Sequence, residues 1–491
     1  MGNGLSFSRQ TKTISPSVVA VISRPGIAYR DRGGGAAGGT AAAGDSSGES
    51  VYGMVEAALA ELGLDAARVG TADWNPLGEL VQPGDRVVLK PNFVSNKNFH
   101  QRLSGEHLAC SSTPAAVLRP LIDYALRAAG PRGRVQIVDA PVEGCNVDEV
   151  LRALGVQDLL RDYRAAGHAV EFLDLRDFCI VPRMLLDNVQ AAGRSLNLGL
   201  LLRQPLPGDP LGYAVVDLGD RSRFADVPER SAALAFHRAH PHTPVPHHRG
   251  GRHEYSLPKT VLAADAVITI AKLKTHKKSG VTLSLKSAIG LCNQKYWLPH
   301  YTLGTVAEGG DEFPFRPPFS VRLRNQLQRV SLPPPLDAHS LVVRAPALAR
   351  PQNGMLDGYI VEGSWEGNDT IWRTTLDLCH LLHYVDREGR LRDTPQRRHL
   401  ALVDGILGGE GEGPLAATPK PAGLLLAGVD PVLVDYVATE AMGYDPARIP
   451  TVRQALLRPL LPSSKKEALE LRWNGPRQAL RFVPPSTWPS L

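Results

Sequence analysis

Between Ala266 and Ala307 the sequence carries six lysines (Lys272, Lys274, Lys277, Lys278, Lys286 and Lys295) and no aspartate or glutamate. Such an imbalance calls for a counter-charge. Its densest part, Lys272-Leu273-Lys274-Thr275-His276-Lys277-Lys278, directly follows an apolar strand, and open α/β sheets take their ligands beyond the carboxyl ends of their strands. An anionic small molecule is therefore expected over Lys272, Lys274, Thr275 and His276; a solvated basic loop is the ordinary alternative. Val281, Leu283 and Leu285 then alternate with Thr282, Ser284 and Lys286, which reads as an extended segment with one polar face. A lysine set among other cations loses proton affinity and can act as a nucleophile or base.

Other strand ends carry complementary groups. Asp404-Gly405 and Glu410-Gly411 lie in a stretch with five glycines, where backbone N–H groups can approach an anion or a loop can close over a ligand. Asp404 and Glu410 could act as acid and base or hold a divalent metal such as Mg²⁺, with a mobile surface loop as the alternative. Lys90-Pro91-Asn92 and Asp139 end two further strands. Ser111 and Ser112 add hydroxyls; Thr113 is placed to cap a helix that starts at Pro114, and a helix N-terminus favours bound negative charge. All these tips are expected to meet in one cleft. His276 or Glu410 would move a proton there, and Lys286 would be an electrostatic stabiliser or a point of covalent attachment. Six histidines between His237 and His253 are interrupted by prolines and glycine and read as a polar loop, so no metal site is assigned to them.

The elements that must position these groups alternate. Strands are expected at Val18 to Ile22, Arg86 to Lys90, Val135 to Asp139, Val170 to Leu173, Ala214 to Leu218, Ala266 to Ala271, 399 to 404 and Gly423 to Gly428. Helical spacing recurs from Val51 to Leu62, after Pro114, over 371 to 385 and from Pro431 to Met442. Parallel crossover units follow, hence an α/β fold with two lobes and mostly parallel sheets. The expected organisation is a flexible N-terminus (1–15), a first α/β lobe (16–292) with a flexible Gly/Ala loop (31–50), an irregular insertion (293–370), and a second lobe with a C-terminal wrap (371–491).

A length of 491 residues with 43% hydrophobic and 21% charged residues excludes collagen, coiled-coil and wholly disordered classes. The formal net charge of +6 is mild for this length, and few aromatics accompany the lysines, so nucleic acid is not the expected partner. No apolar run approaches the roughly 18 residues of a spanning helix, so no membrane partner is expected. The five scattered cysteines include no CxxC pair and fit a reducing, cytoplasmic setting.

In order along the chain, Leu89-Lys90-Pro91-Asn92, Ser112-Thr113-Pro114, Ala264-Asp265-Ala266-Val267-Ile268, Lys272-Leu273-Lys274-Thr275-His276, Leu285-Lys286-Ser287-Ala288-Ile289-Gly290, Asp404-Gly405 with Glu410-Gly411-Glu412-Gly413-Pro414, and Asp430 with Asp435 resemble an uncharacterised family, domain of unknown function 362. Some members of that family carry a ferredoxin-like 4Fe–4S module. The cysteine pattern here implies no such cluster of its own, and leaves an external ferredoxin as a partner the resemblance would allow. The nickel-pincer lactate racemases are a remoter likeness, with an apolar strand, a histidine just after it and a lysine ten positions on, as His276 and Lys286 stand here. Ser284-Leu285 replaces the glycine pair that usually precedes that lysine, and His300 is the nearest counterpart of the remaining nickel-site histidine. That likeness implies isomerisation of a 2-hydroxy acid; binding of a metabolite without catalysis is the other reading.

Overall fold

A computed structural model describes residues 14–29, 50–96, 105–191, 194–227, 234–235, 247–323, 342–343, 355–356 and 359–491. The N-terminus up to residue 13, nearly all of the Gly/Ala loop, and His237, His240 and His242 lie outside them.

The strands of the main sheet are β1 (Val18–Ser23), β2 (Arg86–Pro91), β3 (Arg134–Asp139), β4 (Glu171–Asp174), β5 (Ala266–His276), β6 (Gly280–Val281), β7 (Arg398–Glu412), β8 (Ala416–Gly428) and β9 (Glu470–Asn474). They lie in the order β9-β1-β8-β7-β5-β2-β3-β4, with β6 paired to β5. All run parallel except β8, which is antiparallel to both β1 and β7, and the short β6. This is the α/β architecture. Separate lobes are not seen: β1, from the first expected lobe, sits between β8 and β9 from the second, so one sheet runs through both.

Alternate residues of each strand point to opposite faces. Ala266, Ile268 and Ile270 of β5 pack with α1 (Val51–Glu61) and α2 (Ala115–Ala129) on one side. On the other face, Val267 joins α4 (Ile371–Tyr384), while Ala271 and Leu273 join α5 (Pro431–Met442). Covered by helices on both faces, β5 is buried along its whole length.

Several segments depart from the expectations above. The Tyr213–Asp217 strand is no part of the parallel sheet; it forms a separate antiparallel pair with Glu254–Pro258. From Lys272 to His276 the basic run is not a loop but the end of β5, because Lys272 pairs with Asp404 in the ladder to β7 and Lys274 with Gly409; Lys277 and Lys278 form the turn into β6. The glycine-rich stretch is likewise strand, since β7 continues to Glu412 and folds back as a hairpin with β8. Four of its five glycines serve close packing: a Cβ on Gly405 would stand 2.6 Å from Leu273 Cδ2, while Gly411 has open space around it. The C-terminal wrap supplies the edge strand β9 and a buried Trp488, whose indole N–H donates to the Lys277 carbonyl at 2.5 Å.

Lys286 lies on a short helix, α3 (Leu283–Ser287), not on an extended edge. Leu283 takes φ of 52°, reversing the chain after β6, and the carboxylate of Asp435 on α5 accepts the N–H groups of Ser284 and Leu285 at 2.7 and 2.9 Å. Those two donors would be orphans at a helix start. A tertiary contact thus overrides the period-two pattern.

Thr113 does not cap its helix; α2 begins after Pro114 with no side-chain cap. Its hydroxyl instead donates to the Ile270 carbonyl at 3.0 Å and accepts from Asn92 N–H at 2.9 Å, clasping β5 to the end of β2. Thr113→Val keeps the shape and removes both bonds, so it is expected to cost about 1–3 kcal/mol, read as a lower urea midpoint with an unchanged m-value.

Candidate anion site at the strand ends

Lys272, Lys274 and His276 share one face of β5. Each meets a different fate. The Lys272 amine is fully buried and donates to Asp404 Oδ2 at 2.9 Å and to the Tyr29 hydroxyl at 2.9 Å. Tyr29 in turn donates to Asp404 Oδ1 at 2.6 Å, and the Ile406 N–H reaches the same oxygen at 3.1 Å. Asp404 is thereby neutralised and fully hydrogen-bonded, which makes it a strut between β5 and β7 rather than a free acid. Tyr29, whose hydroxyl burial raises well above its usual range, has no sequence signal; it stands alone just before the Gly/Ala stretch, 375 residues from its partner.

The Lys274 amine finds only neutral oxygens, Asn92 Oδ1 at 2.7 Å and the Ser111 carbonyl at 2.5 Å. Burial, reinforced by Lys272 and Lys286, holds its proton affinity well below that of an ordinary lysine. His276 Nδ1 accepts the Lys278 N–H at 3.0 Å, which places the ring proton on Nε2. Burial, then the charges of Lys286, Lys274 and Lys278, keep this imidazole neutral. Lys286 is buried against Lys278 and Lys295, and among the described residues its amine meets no carboxylate or hydrogen-bond partner. Its pKa falls to about 7, first through burial and then through those two neighbours. Thr282, one helical turn before Lys286, presents a buried hydroxyl with no hydrogen-bond partner.

The neighbouring cations are held in place. Lys90 pairs with Asp139 at 2.9 Å, both buried, and Asp139 also accepts the Phe93 N–H at 2.7 Å. Burial pushes the two proton affinities towards each other, lowering Lys90 and raising Asp139. Lys295 donates to the Ile289 carbonyl at 2.6 Å and is brought down to about 8 by burial. Lys277 pairs with Glu412 at 2.5 Å. Lys278 donates to the Glu362 carbonyl and lies over the Tyr301 ring, so the expected insertion roofs the cluster. That roof is tied by Asp311, which accepts from the Thr302 and Asp369 N–H groups and the Thr370 hydroxyl. The cluster is closed rather than an open cleft: His276 and Lys286 keep 9% and 7% of their exposure.

The remaining expected residues fall outside this core. Glu410 accepts the Val483 N–H at 2.9 Å and pairs with Lys420 at 3.2 Å. With Asp404 already spent on Lys272, the two carboxylates have separate partners and do not form an acid–base or metal pair. Gly405 packs on Leu273, and Gly411 contributes its carbonyl to the Thr275 hydroxyl at 2.8 Å. The Ser111 hydroxyl bonds back to the Leu108 carbonyl at 3.1 Å, and Ser112 accepts the Val94 N–H at 3.4 Å. In the histidine-rich segment, His248 bonds His253 and the Trp297 carbonyl, and His247 bonds Glu254.

The fold and these side chains define an α/β protein with a buried, roofed cation cluster at its strand ends. The family model described as Domain of unknown function (DUF362) matches residues 216–440, and the chain resembles that family over this span. Lys90, Asn92, Thr113 and Asp139 lie before it, although they pack into the same site. A thylakoid-associated protein of Synechocystis sp. is 43% identical over 53 residues, 11% of this chain and 16% of that protein's length. No helix among the described residues is long and apolar enough to cross a membrane.

Two outcomes follow from the geometry. A Cβ on Gly290 would stand 2.3 Å from Asp139 Oδ1 and 2.6 Å from Lys90 Nζ, so Gly290→Ala must displace that pair. The expected loss is about 1–3 kcal/mol in urea unfolding. The second concerns pH. Unfolded Lys286 titrates near the ordinary 10.5 and folded Lys286 near 7, so between these values the unfolded chain holds a proton that the folded one lacks, and stability rises with pH. Below about pH 7 the folded protein bears the full cost of the buried charge. Lys286→Met is therefore expected to stabilise the protein more at pH 6 than at pH 9, and equal gains at both would refute the shift.

Proposed function

We propose that the chain is an enzyme that binds a phosphate- or carboxylate-bearing small molecule at the strand ends, with Lys274, His276 and Lys286 recognising its anionic group. The observation that carries this reading is the Lys286 amine, buried among Lys278, Lys295, Lys274 and His276 with no carboxylate or hydrogen-bond partner among the described residues. Uncompensated buried charge is costly, and an anion of the right size is its natural complement. The Nε2–H of neutral His276 and the unpartnered Thr282 hydroxyl add uncharged donors, so recognition does not depend on Coulomb attraction alone.

The reactive group on this reading is Lys286. Near pH 7 about half of its amines are neutral and can accept a proton from the bound ligand. Neither Asp404 nor Glu410 is needed, because both are engaged elsewhere. The remote likeness to nickel-pincer racemases finds His276 and Lys286 close together, with His300 adding its charge to the surroundings of His276. His300 Nδ1, however, is bonded to the Leu298 carbonyl at 2.8 Å, and no three His, Cys, Asp or Glu side chains gather as a metal site among the described residues. Among the described residues, none make a protein-held nickel site.

A bound anion stabilises the protonated amine, so binding above pH 7 should take up a proton. Calorimetric titration of the intact chain with inorganic phosphate and with lactate at pH 8 should give heats that differ between Tris and HEPES buffers. The difference should shrink at pH 6, where the amine is already charged, and Lys286→Met should lose most of the affinity. Binding that is indifferent to buffer, and equally tight in Lys286→Met, would remove the proposal.

A further inference from the structure

Beside the C-terminal half of α4 lies a cavity of about 270 Å³ lined by Arg221, Arg223, Arg392, Arg458, His380 and Tyr384, with Asp393, Pro459 and Leu460 completing its wall. Helix α4 contacts both regions: Cys379 donates to the Leu285 carbonyl at 3.2 Å, while the next residue, His380, lines the cavity.

The charges in this cavity do not balance. Arg221 pairs with the exposed Asp393 at 2.8 Å, and Arg392 pairs with Asp386 at 2.5 Å. Arg223 and Arg458 have no carboxylate within ion-pair distance among the described residues, although the buried Asp377, which accepts the Arg223 N–H at 2.7 Å, lies near enough to raise Arg223's proton affinity. Arg223 is buried and donates from Nη2 to the Arg458 carbonyl at 2.8 Å, and Arg458 donates to the Arg221 carbonyl at 3.3 Å. Two like charges are thus gathered by backbone carbonyls, and Arg458 itself stands exposed at the rim. His380 stacks on Tyr384 at 4.5 Å, and its buried Nε2 has no hydrogen-bond partner. A polar atom aimed at no protein group, beside two unmatched guanidinium ions, marks a place for a ligand.

We infer that this cavity is a second anion site, built for a small phosphomonoester. Two unmatched guanidinium groups match the roughly −1.5 to −2 charge that a phosphomonoester carries at pH 7, and their planar forks suit its oxygens. Tyr384, Pro459 and Leu460 provide an apolar wall for the organic part of the ester. The volume, near the lower end of ordinary ligand sites, sets the size of the guest. This inference is independent of the function proposed for Lys286.

The probe is phenyl phosphate, titrated calorimetrically into the full chain, with inorganic phosphate as the comparison. In a Lys286→Met background, which disables the strand-end site, one binding event should remain, tighter for phenyl phosphate than for phosphate. Arg458→Gln alters an exposed side chain, and circular dichroism would establish that it folds. It should weaken that event at least about tenfold, as expected for loss of a charged hydrogen-bond donor, while Arg458→Lys should recover part of the loss. The site is refuted if Lys286→Met binds no phenyl phosphate, or if Arg458→Gln binds it as tightly as the parent.

Discussion

The ion pair between Lys272 and Asp404, closed by the Tyr29 hydroxyl, is the constraint on which the site depends. Both ions are fully buried, and a buried pair persists only when its remaining hydrogen-bonding capacity is met. Here Tyr29 and the Ile406 N–H meet it. It fixes β5 against β7 at the last position before the register shifts and brings Lys274 opposite Gly409. It also consumes the one aspartate in that ladder, and Glu412 on the same strand pairs with Lys277, so Lys274 finds no carboxylate partner there.

That arrangement separates two kinds of lysine within one short stretch. Lys272 and Lys277 are neutralised by carboxylates and serve the framework. Lys274 and Lys286 are not, and burial drives both towards the neutral form. Asp435 and Gly290 support the second kind from a distance. The first anchors the helix that carries Lys286, and the second leaves room for the Lys90–Asp139 pair beside it.

The class of fold was legible because strand and helix periodicities are local: α5 begins and ends where the pattern from Pro431 to Met442 puts it. The lysine excess was legible too, as a plain count of charges. What could not be read were the outcomes decided by distant partners. Thr113 looked like a cap and is a clasp between strands, since Ile270 offers its carbonyl across the sheet. The segment from Val281 to Lys286 looked extended and coils at Leu283 because Asp435 supplies two acceptor oxygens. Asp404 and Glu410 looked like a pair of acids, yet the partners that occupy them, Tyr29 and Val483, lie hundreds of residues away in one case and in the C-terminal wrap in the other.

The choice of cation distinguishes the two sites. An ammonium group shifts its proton affinity readily when buried, so Lys286, brought down to about 7, can exchange a proton near neutral pH. A guanidinium group does not: burial lowers Arg223 only to about 10, and it stays charged at neutral pH. On the proposed readings, a pocket of arginines holds an anion but supplies no base, whereas the strand-end lysines would do both. Proton transfer then falls to Lys286, and the arginine pocket is left to recognition alone.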